Sequence, residues 1–335
     1  MSRYTELQTI LREKRFFKLV CGAGNEDTDE VYNLSLVYTL AGCNMIDLSA
    51  KPDVVKACAA GIDKAINIAP SLGIGVETRP FIMVSVGLKG DPHVRKARID
   101  TQRCAECGLC IKECEQYAIG DNFVIMEYRC IGCGKCADVC QQEAIVFTHR
   151  SVDLGTTLPQ CIASGAECVE LHAVSIDEDS IISDWMAINN LVPDNYISLC
   201  IDRSKLSNEH FIERVMRVYD MARERTIIQA DGAPMSGGKD DFNTTLQTIA
   251  TADIVKKSGI PVMLLASGGT NSKTGELANM CGVGINGVSL GTYARKLVHP
   301  LISQEGFESD EETIRKAVEI ARDLIDVNIK CMRRT

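Results

Sequence analysis

The run FIMVSVGL, residues 81–88, is an uncharged apolar stretch with the length and composition of a strand buried on both faces. Before any helical pattern resumes, two cysteine-dense stretches follow it, RCAECGLCIKECEQ at 103–116 and RCIGCGKCADVCQQ at 129–142. The architecture turns on whether 81–88 is one strand of a repeating β/α fold with a metal-binding insert behind it.

Working outward, seven more short apolar runs read as strands: FKLVCGAG at 17, MIDLSA at 45, CVELHA at 168, YISLCID at 196, TIIQADG at 226, PVMLLASGG at 261 and NGVSLGT at 286. Between them lie segments with apolar residues at helical spacing, among them DEVYNLSLVYTLAG, PDVVKACAAGIDKAINIA, EHFIERVMRVYDMAR and LQTIATADIVKKSG, most closing on Gly or Asn. Eight β/α units over about 275 residues match a closed (β/α)8 barrel of the TIM type in count and size. An open doubly wound sheet is the alternative, but no G-x-G-x-x-G follows the first strand. The expected division is a barrel made of 1–88 and 149–335, with a ferredoxin-like domain at 89–148 inserted between strand three and helix three. The last segment, DEETIRKAVEIARDLIDVNIKCMRR, reads as an extra amphipathic helix, acidic at its start and basic at its end.

The composition is 45% apolar, ample for a large core, and the net charge is -9. No basic run interleaved with aromatics offers to neutralise phosphates, so nucleic acid is not expected as a partner. The opening MSRYTELQTILREKRFF is charged throughout, and no stretch of about 18 apolar residues follows, so neither a secretory signal nor a membrane span is expected. The expected compartment is the cytoplasm, where sixteen cysteines speak for metal binding over disulfides. Eight of them are scattered (Cys21, Cys43, Cys58, Cys161, Cys168, Cys200, Cys281, Cys331) and read as small buried hydrophobes. Cys21, near a strand end, is the one placed to face a pocket.

The other eight fill two copies of C-x-x-C-x-x-C-x-x-x-C, the bacterial ferredoxin pattern, in which three thiolates hold one cubane and the fourth crosses to its neighbour. Cys104, Cys107, Cys110 and Cys140 are then expected to hold one [4Fe-4S] cluster, and Cys130, Cys133, Cys136 and Cys114 the other. Gly108, Gly132 and Gly134 leave room for backbone amides near the sulfides. Zinc ribbons also use C-x-x-C pairs, but a zinc site has no need of a third and fourth cysteine in this register twice over. The proline that usually follows the fourth cysteine is replaced by Glu115 and Gln141, which alters the surroundings of the sulfurs.

A βα loop after strand three lines the catalytic face of a barrel, so the clusters are expected over the mouth, exchanging electrons with a redox partner or a small-molecule redox ligand. The alternative is an insert tethered at a permissive loop. Strands seven and eight end in ASGGTN and GTYAR, where barrels commonly build a phosphate site. Gly268, Gly269, Thr270, Gly291, Thr292 and Arg295 are the candidates, for a phosphate such as that of FMN, against the reading that the glycines only turn the chain. QADGAPMSGGKDDFN is not a Walker A loop: Gly232 and Gly237–Gly238 precede Lys239, but no metal-binding hydroxyl follows. It reads as a lid, with Asp231 at the strand end and Lys239 either catalytic or solvated. Glu170 and His172 share a strand face and are candidates for proton transfer, or a barrel-lining pair satisfied by its neighbours, as are Asp47 and Asp202. His93 reads as a surface residue.

FFKLVCGAGNEDTDEVYNLSLVYTLAGCNMIDLSAKPDVV, RPFIMVSVGLKGDPHVRKA, the double cysteine run, QADGAPMSGG, ASGGTNSKTGELANM and GVSLGTYAR together resemble the light-dependent period proteins (LdpA) of cyanobacteria, nearly end to end. The resemblance implies an iron-sulfur protein that senses cellular redox state and passes it to the circadian clock. By residue, it carries over the eight cluster cysteines. The missing prolines after Cys114 and Cys140 depart from the family and leave room for a relative serving another redox pathway.

Overall fold

The computed structural model describes residues 2–87, 94–149, 153–232 and 238–333. Eight parallel strands close into a barrel: β1 (Phe16–Val20), β2 (Met45–Ser49), β3 (Phe81–Gly87), β6 (Cys168–His172), β7 (Ile197–Ile201), β8 (Thr226–Asp231), β9 (Met263–Ser267) and β10 (Gly287–Leu290). Each of the eight apolar runs supplies one of them, and the ring closes where Phe16 meets Gly287 in register. This excludes the open doubly wound sheet. Helices α2 (Thr28–Ala41), α3 (Pro52–Ile68), α6 (Leu154–Ala163), α7 (Glu178–Leu191), α8 (Asn208–Ala222), α9 (Phe242–Ser258), α10 (Thr274–Met280) and α11 (Thr292–Ile302) alternate with the strands. The closing segment is α12 (Glu311–Met332), packed on α2, α10 and α11.

Period-two alternation sorts each strand. Phe17, Leu19, Ile46, Leu48, Val84, Leu171, Leu199 and Ile228 point outward and join the helices in the main core. The inward residues form layers. At the N-terminal end Phe16, Met45, Phe81, Cys168, Tyr196, Ile227 and Leu265 make an apolar floor. Helix α1 (Arg3–Arg12) plugs it from below with Leu7, Ile10 and Leu11, each worth roughly 1.5–3 kcal/mol when fully buried. Arg3 fastens this plug, its guanidinium 3.5 Å from the centre of the Phe81 ring and 2.6 Å from Glu167.

Above the floor the interior turns polar. Lys18, Asp47, Ser85, Glu170, Ser198, Gln229 and Ser289 are all buried and hydrogen-bonded in two groups, Lys18 with Asp47, Ser85 and Glu170, and Gln229 with Ser198 and Ser289. Gln229 centres the second group, donating to Ser198 at 3.0 Å and accepting from Ser289 at 2.8 Å. A polar layer inside a barrel is tolerable only when its groups are paired, and it marks where the floor gives way to a mouth.

Candidate iron-sulfur centre and barrel mouth

Between β3 and α6 lies the cassette: β4 (Arg95–Ile99), α4 (Leu109–Glu113), α5 (Lys135–Asp138) and β5 (Ile145–His149), with β4 and β5 paired antiparallel from Arg95↔His149 to Ile99↔Ile145. The sequence repeat reappears in the backbone. Glu106 and Gly132 both have positive φ (50° and 69°), as do Gly108 and Gly134 (73° and 94°), and Tyr117 and Glu143 (51° and 47°). Each pair occupies equivalent positions of the two runs. Left-handed backbone is strained for residues with a Cβ, and the repetition shows that the cysteine loop itself demands it.

The loops aim backbone N–H groups at sulfur. Ala118 donates to Cys114 Sγ at 3.4 Å and Ala144 to Cys140 Sγ at 3.3 Å, again equivalent positions, while Ala97 donates to Cys130 and Glu106 to Cys104, both at 3.4 Å. Such bonds stabilise thiolate charge. Cys114, Cys130, Cys133 and Cys136 line one cavity of about 370 Å³, closed by Ala97, Ile119, Ile125 and Phe147. Cys114 thus leaves its own run and joins the three cysteines of the second. Burial, then the neighbouring Cys133, Cys130 and Cys114, pushes the Cys136 thiol up to about 12. Four crowded sulfurs in an apolar shell fit a cationic metal cluster, which relieves that crowding as thiolates bind. In the first run Cys104 and Cys107 stand beside Cys110, with Cys107 exposed.

The cassette is docked on the barrel's C-terminal face. Lys96, nearly buried, donates to the carbonyls of Gly24 (2.5 Å), Glu127 (2.7 Å) and Cys130 (2.8 Å) and lies 3.5 Å from Glu26. Arg129 pairs with Asp27 at 2.7 Å, Tyr117 stacks on His299 at 4.2 Å, and Arg295 donates to Gln116. Glu115, standing where ferredoxins usually have proline, pairs with Lys135 and lies 3.7 Å from Lys296 of α11, close enough to Gly238 that a Cβ there would meet it at 2.4 Å. This polar substitution is a docking contact.

Beneath the cassette the mouth is a cavity of about 700 Å³ lined by strand ends and by Ile131, the residue following Cys130. Ile131 lines the cysteine cavity as well, so it is a wall common to both. Asp47, Glu170, His172, Asp231, Gly268, Gly269, Thr270, Gly291, Thr292 and Arg295 all reach the mouth, which brings together nearly every predicted site residue. Lys18 Nζ lies 2.6 Å from Glu170 and 3.2 Å from Asp47. Burial opposes its charge, but the two carboxylates outweigh it and hold the ammonium above the ordinary lysine range. Burial likewise works against the Glu170 carboxylate, and Lys18 with His172, 3.2 Å away, reverses it and holds Glu170 down to about 2. Asp47, farther from Lys18 and facing Glu170, is raised mainly by burial.

Arg295 is 5% exposed, and its Nε has no hydrogen-bond partner among the described residues. It sits in the first turn of α11, whose N-terminus at Gly291–Thr292 carries no side-chain cap and faces the mouth. Uncapped helix amides beside a buried guanidinium whose Nη1 is held by Gln116 and whose Nε points to no partner are groups that could hold an anion. Thr270 has its hydroxyl committed to Ser289 O at 2.6 Å, and Gly268 is packed so tightly on Asp231 that a Cβ would overlap it, so these two shape the wall.

Several expectations need correction. Lys239 is exposed and outside the mouth, its carbonyl accepting from Asn271, so it has no access to the chemistry there. Asp202 caps the turn at Ser204. Cys21 points outward into the helix layer, because Val20 takes the inward position at the end of β1. Gly232 is packed on Thr248, a turn residue. Of the scattered cysteines Cys281 is exposed, and Cys200 is buried but lines the mouth, 3.6 Å from Asp231. His93, Gly237 and the expected domain boundary at 89 lie outside the described residues. Lys18, Lys96 and Cys200 were missed, although a lysine inside FFKLV is a visible signal: a charge in a doubly buried strand demands partners.

Residues 123–146, with four of the cysteines, match the family described as "4Fe-4S binding domain". Fold and site together define an iron-sulfur protein built on a (β/α)8 barrel. Residues 161–327 match the "Light dependent period A C-terminal domain", and "Light dependent period A" of Synechococcus elongatus is 28% identical across 94% of this chain and 91% of its own length. The chain belongs to the light dependent period A family. Among solved structures, the YdjI aldolase from Escherichia coli K12 is similar at 9% identity and a TM-score of 0.49, covering 96% of this chain and 94% of that one. A truncated 3-deoxy-D-arabino-heptulosonate 7-phosphate synthase from Thermotoga maritima is similar at 10% identity and 0.45, covering 93% and 87%. Scores this low say nothing about chemistry. Among the described residues no helix is long and apolar enough to cross a membrane.

Proposed function

We propose that the protein carries two [4Fe-4S] clusters and moves electrons between a partner outside the cassette and an anionic ligand in the barrel mouth. The outer cluster is held by Cys104, Cys107, Cys110 and Cys140, the inner by Cys130, Cys133, Cys136 and Cys114. Exposure of Cys107 supports the outer one as the port for a redox partner. The observation that carries the reading is Ile131, which lines both the inner cysteine cavity and the mouth. The unpartnered Nε of Arg295 at the open end of α11 supports a phosphate-bearing ligand, a class that includes FMN. Glu170, His172 and Asp231 face that ligand from the strand ends. A redox-sensing role and an oxidoreductase role share this arrangement, since each couples cluster oxidation state to what the mouth holds. The test is anaerobic purification with iron, sulfide and released small molecules counted on one sample. About eight irons per chain is the expected result. Absence of acid-labile sulfide ends the reading, and a phosphate-bearing redox cofactor released on denaturation favours the enzyme.

A further inference from the structure

The mouth holds one constellation that neither the clusters nor the anion site uses. Glu170 and His172 stand two apart on β6, and Cys200 is the register partner of His172 on β7. All three are buried, at 2%, 6% and 4% exposure, and their ligand atoms lie within 4.8 Å of one another. His172 Nε2 and Glu170 Oε1 are 3.2 Å apart, close to the edge of about 3.3 Å in a tetrahedron with bonds of 2.0–2.1 Å. Glu170 meets Lys18 through Oε2, and its Oε1 now faces His172 Nε2, so a metal ion between these two atoms would take the place of the proton they share.

Charge points the same way. Lys18 is the ammonium facing Asp47 and Glu170, and Asp231 adds a third carboxylate beyond Cys200. With Arg295 in the wall of the mouth, two cations stand against three carboxylates, and the negative charge left over, together with the thiolate of Cys200, leaves room for a divalent ion. A carboxylate, an imidazole and a thiol form a mixed donor set suited to zinc or ferrous iron and ill suited to magnesium or calcium.

We infer that Glu170, His172 and Cys200 bind one divalent transition metal ion of the zinc or ferrous class, with its fourth position open to the mouth, as in three-ligand catalytic sites. Lys18, itself held by Asp47, anchors Glu170 from below, and the thiol proton that Cys200 directs at Asp231 is released as the thiolate binds. The site is independent of the cassette.

The test uses the full chain, purified anaerobically with its iron-sulfur centres in place and titrated with Zn2+. Binding is followed by zinc X-ray absorption, with iron and sulfide measured in parallel. One tightly held zinc with a single sulfur ligand and otherwise nitrogen and oxygen is the expected result. Cys200→Ser and His172→Gln should each weaken it roughly 100-fold or more, at least the upper range for a lost outer-shell partner, with iron content unchanged. No zinc uptake, zinc ringed by four sulfurs, or variants that bind like the parent would each overturn the assignment. If a variant does not fold, the one-sulfur signature of the parent protein decides the matter alone. A preparation lacking iron and sulfide but still holding zinc with one sulfur would contradict the cluster reading and support this one.

Discussion

Replacing Lys18 by Met removes the one ammonium from between two buried carboxylates. Lys18 is fully buried, Glu170 and Asp47 nearly so, and the contacts are 2.6 Å and 3.2 Å. Removing one partner of such a pair leaves uncompensated buried charge, which destabilises by roughly 3–5 kcal/mol. With an unfolding entropy of about 2.1 cal/mol/K per residue, the chain's 335 residues give about 0.7 kcal/mol per degree, so Tm should fall by about 4–7 °C. The pH dependence carries a sign of its own. In the parent protein the Glu170 pKa is depressed to about 2, so its contribution is present above the unfolded carboxylate pKa of about 4.3 and is lost as pH falls from there toward 2. In Lys18→Met both carboxylates shift upward instead, and their penalty is greatest at neutral pH and relieved by protonation. The stability gap between parent and variant should therefore narrow between about pH 7 and about pH 5. Urea unfolding followed by circular dichroism at several pH values measures this. A variant as stable as the parent at neutral pH, or a gap that widens on acidification, would refute the description of the barrel belt.

Cys133→Ser should lose the inner cluster and about half the iron, while Cys107→Ser should lose the outer one, as read by iron analysis and spin-resonance spectra of the reduced proteins. Arg295→Gln should weaken inorganic phosphate binding, measured calorimetrically, by roughly 10- to 100-fold, the worth of one charge-assisted hydrogen bond of about 1.5–3 kcal/mol. Lys96→Met strands three buried carbonyl acceptors and should loosen the cassette from the barrel by roughly 3 kcal/mol or more, seen as faster amide exchange around Gly24 and Cys130 at unchanged barrel exchange.

The barrel was legible because its strands are buried on both faces, so each reads as an uninterrupted apolar run bounded by turns. The inserted cassette was legible because ligand spacing is a covalent constraint written directly into the chain. Less visible was anything depending on which strands become neighbours. Lys18 and Glu170 are 152 positions apart and meet only because β1 and β6 face each other across the closed ring. Cys200 looked like any buried cysteine until β7 was set beside β6, putting it next to His172. Lys239 shows the converse: the glycine-rich run ahead of it reads as a lid that leaves the lysine either catalytic or solvated, and only the folded chain, which carries that side chain to the surface, decides between them. Ile131, an ordinary apolar residue between two cysteines, acquires meaning only from the docking of the cassette.

The central claim is that the inner cluster lies beside an anion held in the mouth. Pulsed electron-nuclear double resonance on the reduced protein, with inorganic phosphate bound, tests it through the phosphorus nucleus. Phosphorus hyperfine coupling to the cluster spin that survives in Cys107→Ser and vanishes in Arg295→Gln is the result expected. Phosphate that binds at Arg295 yet shows no coupling to either cluster would contradict it.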